Sequence, residues 1–171
     1  LNGTHTVSQG RFDFEGDFKD GQFENGKLLE NELKIAEGNF KNNQLVKGTK
    51  TMKVKDFFEC FSFTSDSDLC PEFDCEFGNH MLFIVGEFKN GQPNGQCSVY
   101  YDEDLTLRAV SGEFENGVFV EGEVYANDED NTLLERGTFY NQLIKGFALR
   151  NVCVPCSDEL IEFYMRVDFD N

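Results

Sequence analysis

Between Phe12 and Phe18 the chain alternates strictly. Phe12, Phe14, Gly16 and Phe18 fall on one side of an extended segment, and Asp13, Glu15 and Asp17 fall on the other. Period two over seven residues predicts a β-strand with one apolar face and one wet face. The same phase returns in Ile84, Gly86 and Phe88 and again in Val110, Gly112 and Phe114. Soon after each aromatic come Asp20-Gly21, Asn42-Asn43, Asn90-Gly91 or Asn116-Gly117. These dipeptides accept positive φ and close tight hairpins, so the chain reverses there.

The alternation is one part of a longer repeat. A Gly-x-Phe-x-Asn-Gly pattern opens at Gly16, Gly38, Gly86, Gly112 and Gly137, and Phe61-Ser-Phe63-Thr-Ser-Asp66 occupies the place of a worn copy. The openings at 16, 38, 61, 86, 112 and 137 are 22, 23, 25, 26 and 25 residues apart. Self-similarity at such a period marks a repeat architecture. About ten residues after each opening a second glycine follows, at Gly26, Gly48, Gly95, Gly122 and Gly146, and a return strand begins, as in Met52-Lys-Val54 and Cys97-Ser-Val99-Tyr-Tyr101. A glycine inside an aromatic stripe leaves room for a ring from a neighbouring strand to lie over the backbone. Each unit is therefore a hairpin. Successive hairpins should pair into one long, twisted, antiparallel sheet, an all-β repeat array over residues 1–150 with a degenerate copy near 57–85.

Residues 151–171 form a separate C-terminal segment. Ser157-Asp-Glu-Leu-Ile resembles a helix start, but Ile161, Phe163, Met165, Val167 and Phe169 alternate with Glu162, Tyr164, Arg166 and Asp168. Period two predicts a terminal strand. Met81-Leu-Phe-Ile-Val85 is apolar on both faces and should be covered on both.

At 171 residues the chain suffices for one domain or one continuous array. It holds 19 Phe and no Trp. Its net charge is −17, from 32 acidic and 15 basic side chains. Nucleic acids and anionic membranes are recognised through concentrated Lys/Arg surface, so neither direct nucleic-acid binding nor membrane attachment is expected. A Lys/Arg-rich protein partner fits the charge; an equally direct reading is that acidity keeps an exposed sheet in solution. Six cysteines are spread without a dense framework, and no apolar run is long enough to span a membrane. An intracellular setting, cytoplasmic or nuclear, is the expectation, although Asn2-Gly-Thr4 forms a sequon.

Motifs for chemistry are scarce. The two histidines, His5 and His80, have no carboxylate-and-nucleophile pattern nearby, and no phosphate-binding, dinucleotide-binding or zinc-protease motif occurs. No catalytic residue and no cofactor are expected. Cys153-Val-Pro-Cys156 has the spacing of a redox dithiol or half a zinc site, but zinc would need two further ligands; a structural turn is the plainer reading. Acidic groups at Asp66/Asp68, Asp102/Glu103/Asp104 and Asp128/Glu129/Asp130 lack the central Gly and distal Glu of a calcium loop, and read as solvated loop charge.

The glycine, aromatic, Asn-Gly and closing glycine at this pitch resemble the MORN (membrane occupation and recognition nexus) repeat family over residues 10–150. Phe stands where that family usually has Tyr, and several closing glycines lack a neighbouring His. Gly91 to Tyr101, Gly137-Thr-Phe139, Leu143-Ile-Lys-Gly146 and Glu162-Phe-Tyr-Met165 also look like the N-terminal sheet region of lysine methyltransferases that carry MORN repeats ahead of a SET domain. Nothing here resembles the SET catalytic motifs. The resemblance implies a non-catalytic scaffold or protein-interaction module. Two alternatives accompany it: a substrate-orienting accessory region of such a methyltransferase, and a lipid-binding membrane scaffold. Phe18, Phe40, Phe88, Phe114 and Phe139 are the candidate partner-binding face, because a single-layer sheet has no second layer to cover its apolar side. The competing reading makes those rings core. Homo-oligomerisation stays open.

Overall fold

The computed structural model describes residues 1–53, 80–126, 128–140, 142–153 and 160–168. Every element among them is a strand: β1 (Gly3–Gln9), β2 (Phe12–Lys19), β3 (Gln22–Glu30), β4 (Leu33–Lys41), β5 (Gln44–Lys53), β6 (Met81–Lys89), β7 (Gln92–Tyr100), β8 (Arg108–Glu115), β9 (Val118–Tyr125), β10 (Leu133–Tyr140), β11 (Gln142–Cys153) and β12 (Leu160–Asp168). The twelve form one antiparallel sheet in chain order. The all-β hairpin array expected from the repeat is the fold. The worn copy at Phe61–Asp66 lies outside the described residues. β5 pairs directly with β6, Gly48 opposite Gly86, so the sheet carries the repeat phase straight across that interval. The terminal strand read from period two is β12.

One row of residues organises the sheet. In register across the strands run His5, Gly16, Gly26, Gly38, Gly48, Gly86, Cys97, Gly112, Gly122, Gly137, Gly146 and Val167. At Gly16, whose φ is +153°, a Cβ would sit 2.1 Å from the Asn25 carbonyl oxygen and 2.7 Å from the Gly26 Cα. The neighbouring strand's backbone occupies that space, so no side chain fits.

On each return strand the apolar residue and the glycine are three apart: Phe23 and Gly26, Leu45 and Gly48, Phe119 and Gly122, Leu143 and Gly146. Period two alone would place them on opposite faces. The ladder resolves this with a bulge at the same point of each hairpin, between Asp17/Phe18, Asn39/Phe40, Glu113/Phe114 and Thr138/Phe139. One extra residue on the return strand restores glycine and ring to a common face. The β6–β7 hairpin differs. Phe88 opposes Pro93 and Gly86 opposes Cys97, so Gly95 is not in the row and pairs with Phe114 instead. The expected closing glycine at 95 is thus displaced, and Cys97 takes its place.

The hairpin turns Asp20-Gly21, Asn42-Asn43, Asn90-Gly91 and Asn116-Gly117 carry positive φ at both residues, as the dipeptides predict. Asn31-Glu32 does the same without a glycine, with Glu32 at φ +69°.

The core lies on the glycine-row face. On one side of the row Phe18, Phe23, Phe40, Leu45, Phe88, Phe114, Phe119 and Phe139 are buried; on the other lie Phe14, Ala36, Leu82, Ile84, Val99 and Val110. Coverage of Met81–Val85 is one-sided: Leu82 and Ile84 are buried, Phe83 and Val85 half-buried and Met81 exposed. Phe83 lies across from Thr51 and Tyr100 on the solvent side of the sheet, where amphipathic neighbours leave rings partly wet.

Candidate interaction surface

The five rings proposed from sequence as a contact face, Phe18, Phe40, Phe88, Phe114 and Phe139, are 0–7% exposed. Their return-strand partners explain this. Phe23 lies 5.1 Å from Phe18 and 4.6 Å from Phe40, and Phe119 lies 5.2 Å from Phe114 and 4.7 Å from Phe139, centroid to centroid. Rings on consecutive strands thus cover one another in tilted pairs. Phe119 also spreads over the glycine row, its Cε2 standing 2.9 Å from where a Cβ of Gly112 would be. In the isolated chain these rings are core, so the surface open to a partner is the opposite face and the two sheet ends.

Of the cysteine pair, Cys153 ends β11 and Cys156 lies outside the described residues. Cys97 is a free thiol, buried in the glycine row, its Sγ donating to the Glu87 carbonyl at 3.3 Å. Burial, with the negative charge of Glu87 and Glu113, pushes it away from thiolate, against two backbone hydrogen bonds acting the other way. Among the described residues no group of three or more potential ligands is placed to hold a metal. His5 donates its Nε2–H to the Asn2 carbonyl at 2.9 Å, and its ring packs edge-on against Phe18.

The acidic groups after β7 and β9 turn out to be sister loops, Asp102-Glu-Asp-Leu-Thr106 and Asp128-Glu-Asp-Asn-Thr132. In each the first Asp turns inward. Asp102 accepts from the backbone N–H of Thr106 and Leu107 and from the Thr106 hydroxyl, and Asp128 accepts from the backbone N–H of Thr132. Desolvation is the largest single influence on the Asp102 carboxyl and raises it, but those three donors together outweigh it and hold the group below the usual carboxylate range. Asn131 joins the loops, accepting from the Arg108 N–H and donating to the Thr106 carbonyl. These carboxylates are spent on loop geometry.

The solvent face holds charge in cross-strand rows. On the β8–β9 hairpin Glu113, Glu115, Glu121 and Glu123 share it. Glu113 and Glu121 stand directly opposite each other; Glu113 accepts from the Gln96 side-chain amide at 2.6 Å. Glu123 pairs with Arg136 and accepts from the Tyr125 hydroxyl, which together keep its carboxyl below the ordinary range. Arg108 lies between two rings, its guanidinium 5.9 Å from the Tyr100 centroid and 5.4 Å from that of Tyr125. This Tyr100–Arg108–Tyr125–Glu123–Arg136 array was not anticipated. Apart from Glu123 and Tyr125, two residues apart on β9, its members come from different strands, and strand register brings them together.

The family model of the MORN repeat matches residues 14–28 and 85–103. The first span covers most of the β2–β3 hairpin; the second begins within β6 and runs through β7 into the loop that follows. Both fall on the hairpin unit from which the glycine row is built, in support of the MORN-repeat resemblance. No curated protein matches the chain.

Proposed function

We propose that this chain is a non-catalytic interaction scaffold of MORN type, and that the solvent face of the β8–β9 hairpin receives a Lys/Arg-rich protein segment. The supporting observation is the set of four carboxylates there, with Glu113 facing Glu121. Like charges placed directly opposite on neighbouring strands destabilise a sheet, by roughly 0.2–1 kcal/mol on the scale of cross-strand pairs. Retaining them is understandable where a basic partner relieves the repulsion on binding. Val118, an exposed apolar residue beside Glu115, gives the surface an apolar margin for an amphipathic segment. Charge of this kind sets encounter rate and partner choice more than affinity. With the rings of the core face buried, the exposed groups that support this reading lie on this side.

The test is a fluorescence-anisotropy titration of the full chain with a labelled Lys/Arg-rich heptapeptide at low and at physiological salt. Saturable binding that weakens with salt, and that falls about fivefold or more in Glu113→Gln/Glu121→Gln with no fall in melting temperature, supports the proposal. Undiminished binding by that double variant sinks it, as does the absence of binding at low salt.

A further inference from the structure

β1 stands at one end of the sheet order, with β2 beside it. Its geometry nevertheless matches that of β7, an interior strand. Gly3 and Gly95 have φ of +96° and +93°. The Asn2 Oδ1 accepts from the Asp20 N–H, and the Asn94 Oδ1 accepts from the Asn116 N–H. The Leu1 carbonyl accepts from the Gly21 N–H at 3.0 Å, and the Pro93 carbonyl accepts from the Gly117 N–H at 2.8 Å. His5 and Cys97 hold the row position, opposite Gly16 and Gly112. Leu1-Asn-Gly-Thr-His-Thr-Val7 therefore follows the course of Pro93-Asn-Gly-Gln-Cys-Ser-Val99. The two strands differ on their other edge. β7 has β6 there, with Ile84 against Val99, Gly86 against Cys97 and Phe88 against Pro93. Among the described residues β1 has no such strand, and Val7 is half-buried and His5 exposed where Val99 and Cys97 are buried.

The edge also lacks the usual defences. Sheet edges are ordinarily blunted by charge, proline or a bulge. Gly3–Gln9 contains no Asp, Glu, Lys, Arg or Pro, and its ladder with β2 runs without a shift. Alternate residues of an antiparallel strand direct N–H and C=O to the same side, so β1 offers a row of these groups outward.

We propose that this edge takes an antiparallel strand of a partner protein that reads aliphatic-x-Gly-x-Phe, with the aliphatic residue beside Val7, the glycine beside His5 and the ring beside Leu1. Main-chain hydrogen bonds supply affinity in strand addition of this kind, and alternate side chains supply selectivity. The glycine requirement is read from β6: a Cβ on Gly86 would lie 2.5 Å from the Cys97 Sγ and 2.6 Å from the Gln96 carbonyl oxygen. The imidazole of His5 is larger than a thiol and leaves less room. A second copy of the chain does not meet the requirement. Its β2, β4, β6, β8 and β10 are paired on both edges, and its β12 has Val167 at the row position.

The experiment titrates the full chain with a rhodamine-labelled peptide Thr-Thr-Ile-Thr-Gly-Glu-Phe-Lys-Asn, whose side chains carry no net charge, and with the same peptide bearing Val in place of Gly. The expected result is saturable binding of the first and about tenfold weaker binding of the second. Bound peptide slows amide exchange at alternate residues of Thr4–Ser8, and Glu113→Gln/Glu121→Gln leaves the affinity unchanged, which separates this edge from the β8–β9 face. The proposal is overturned if the Gly peptide does not bind, if the Val peptide binds equally well, or if the double variant loses the binding. Protection that appears on other strands and not on β1 overturns it too. So does self-association of the chain alone that protects β1, since the edge would then belong to a second copy.

Discussion

Gly112→Ala tests the mechanical centre of the fold. An alanine Cβ at this position would lie 2.0 Å from the Glu121 carbonyl oxygen, 2.7 Å from the Gly122 Cα and 2.9 Å from the Phe119 ring. An ordinary carbon–oxygen contact is about 3.3 Å, so β8 and β9 must part by more than about 1 Å, and no rotamer relieves a backbone clash. Overpacking of this kind costs about 1–3 kcal/mol. One or two strained ladder hydrogen bonds add about 0.5–1.5 kcal/mol each. Reduced freedom of the unfolded chain returns about 0.4–1 kcal/mol. The net loss is about 3 kcal/mol, which for a chain of this size lowers the melting temperature by roughly 6–12 °C. Gly10→Ala is the control: its φ is +65° but nothing lies within 4 Å of the added carbon, so only about 1–2 kcal/mol of backbone strain applies. Melts followed by circular dichroism compare the two, and amide exchange locates the loss on β8 and β9, since a repeat array loosens locally. A Gly112→Ala protein as stable as Gly10→Ala would refute the close-packed glycine row.

Phe114→Ala, at a fully buried ring, should lose about 3–5 kcal/mol by the same melt; a loss under 1 kcal/mol would reopen the ring row as contact surface. Leu105→Asn should stabilise by about 1 kcal/mol in urea, because Leu105 sits at φ +59° where the sister loop has Asn131 at +50°. Glu32→Gly in the β3–β4 turn should gain a similar amount, about 1 kcal/mol, for the same reason, and no gain in either would argue against strain at these φ values. For Asp102 the folded carboxyl titrates below the unfolded one, so its contribution is complete above the ordinary carboxylate range and lost as pH falls through the folded value. NMR of residues 101–107 should therefore show loop opening on acidification, and Asp102→Asn should remove that pH dependence; a loop unchanged by acid contradicts the assignment.

The fold was legible because two independent signals agree at the same places: alternation in Phe12–Phe18 and turn chemistry in Asp20-Gly21 both put a hairpin there. Misreadings occur where the ladder departs from regular spacing. Gly95 has the expected interval from Gly86, yet the β6–β7 hairpin holds one more residue between its row positions than the β2–β3, β4–β5 and β8–β9 hairpins, so Cys97 fills the row. Asn31-Glu32 carried no glycine to announce it, because tertiary pairing of β3 with β4 imposes the positive φ. The surface was less legible still. Composition announced acidity but not its place, and neither the facing of Glu113 by Glu121 nor the flanking of Phe147 by two arginines is visible without register. An apolar stripe, read alone, also does not say whether its rings cover each other, as Phe23 and Phe119 make them do.

Charge is divided along the array as sharply as the faces are divided across it. Residues 1–53 carry eight acidic and eight basic side chains, so the entire net charge of −17 arises beyond them. β1 to β5 span roughly 20 Å at about 4.8 Å per strand, more than twice the screening length of about 8 Å. The N-terminal strands are therefore close to electrostatically neutral. Within the later strands a carboxylate row on β8–β9 and an arginine-flanked ring on β10–β12 lie side by side on one solvent face. Side chains of both signs thus share one face over a few strand widths, while the glycine row and bulges keep the backbones of the β2–β3, β4–β5 and β8–β9 hairpins alike. The exposed side chains can change without cost to the core, which is the physical advantage of separating a ring-filled face from a charged one.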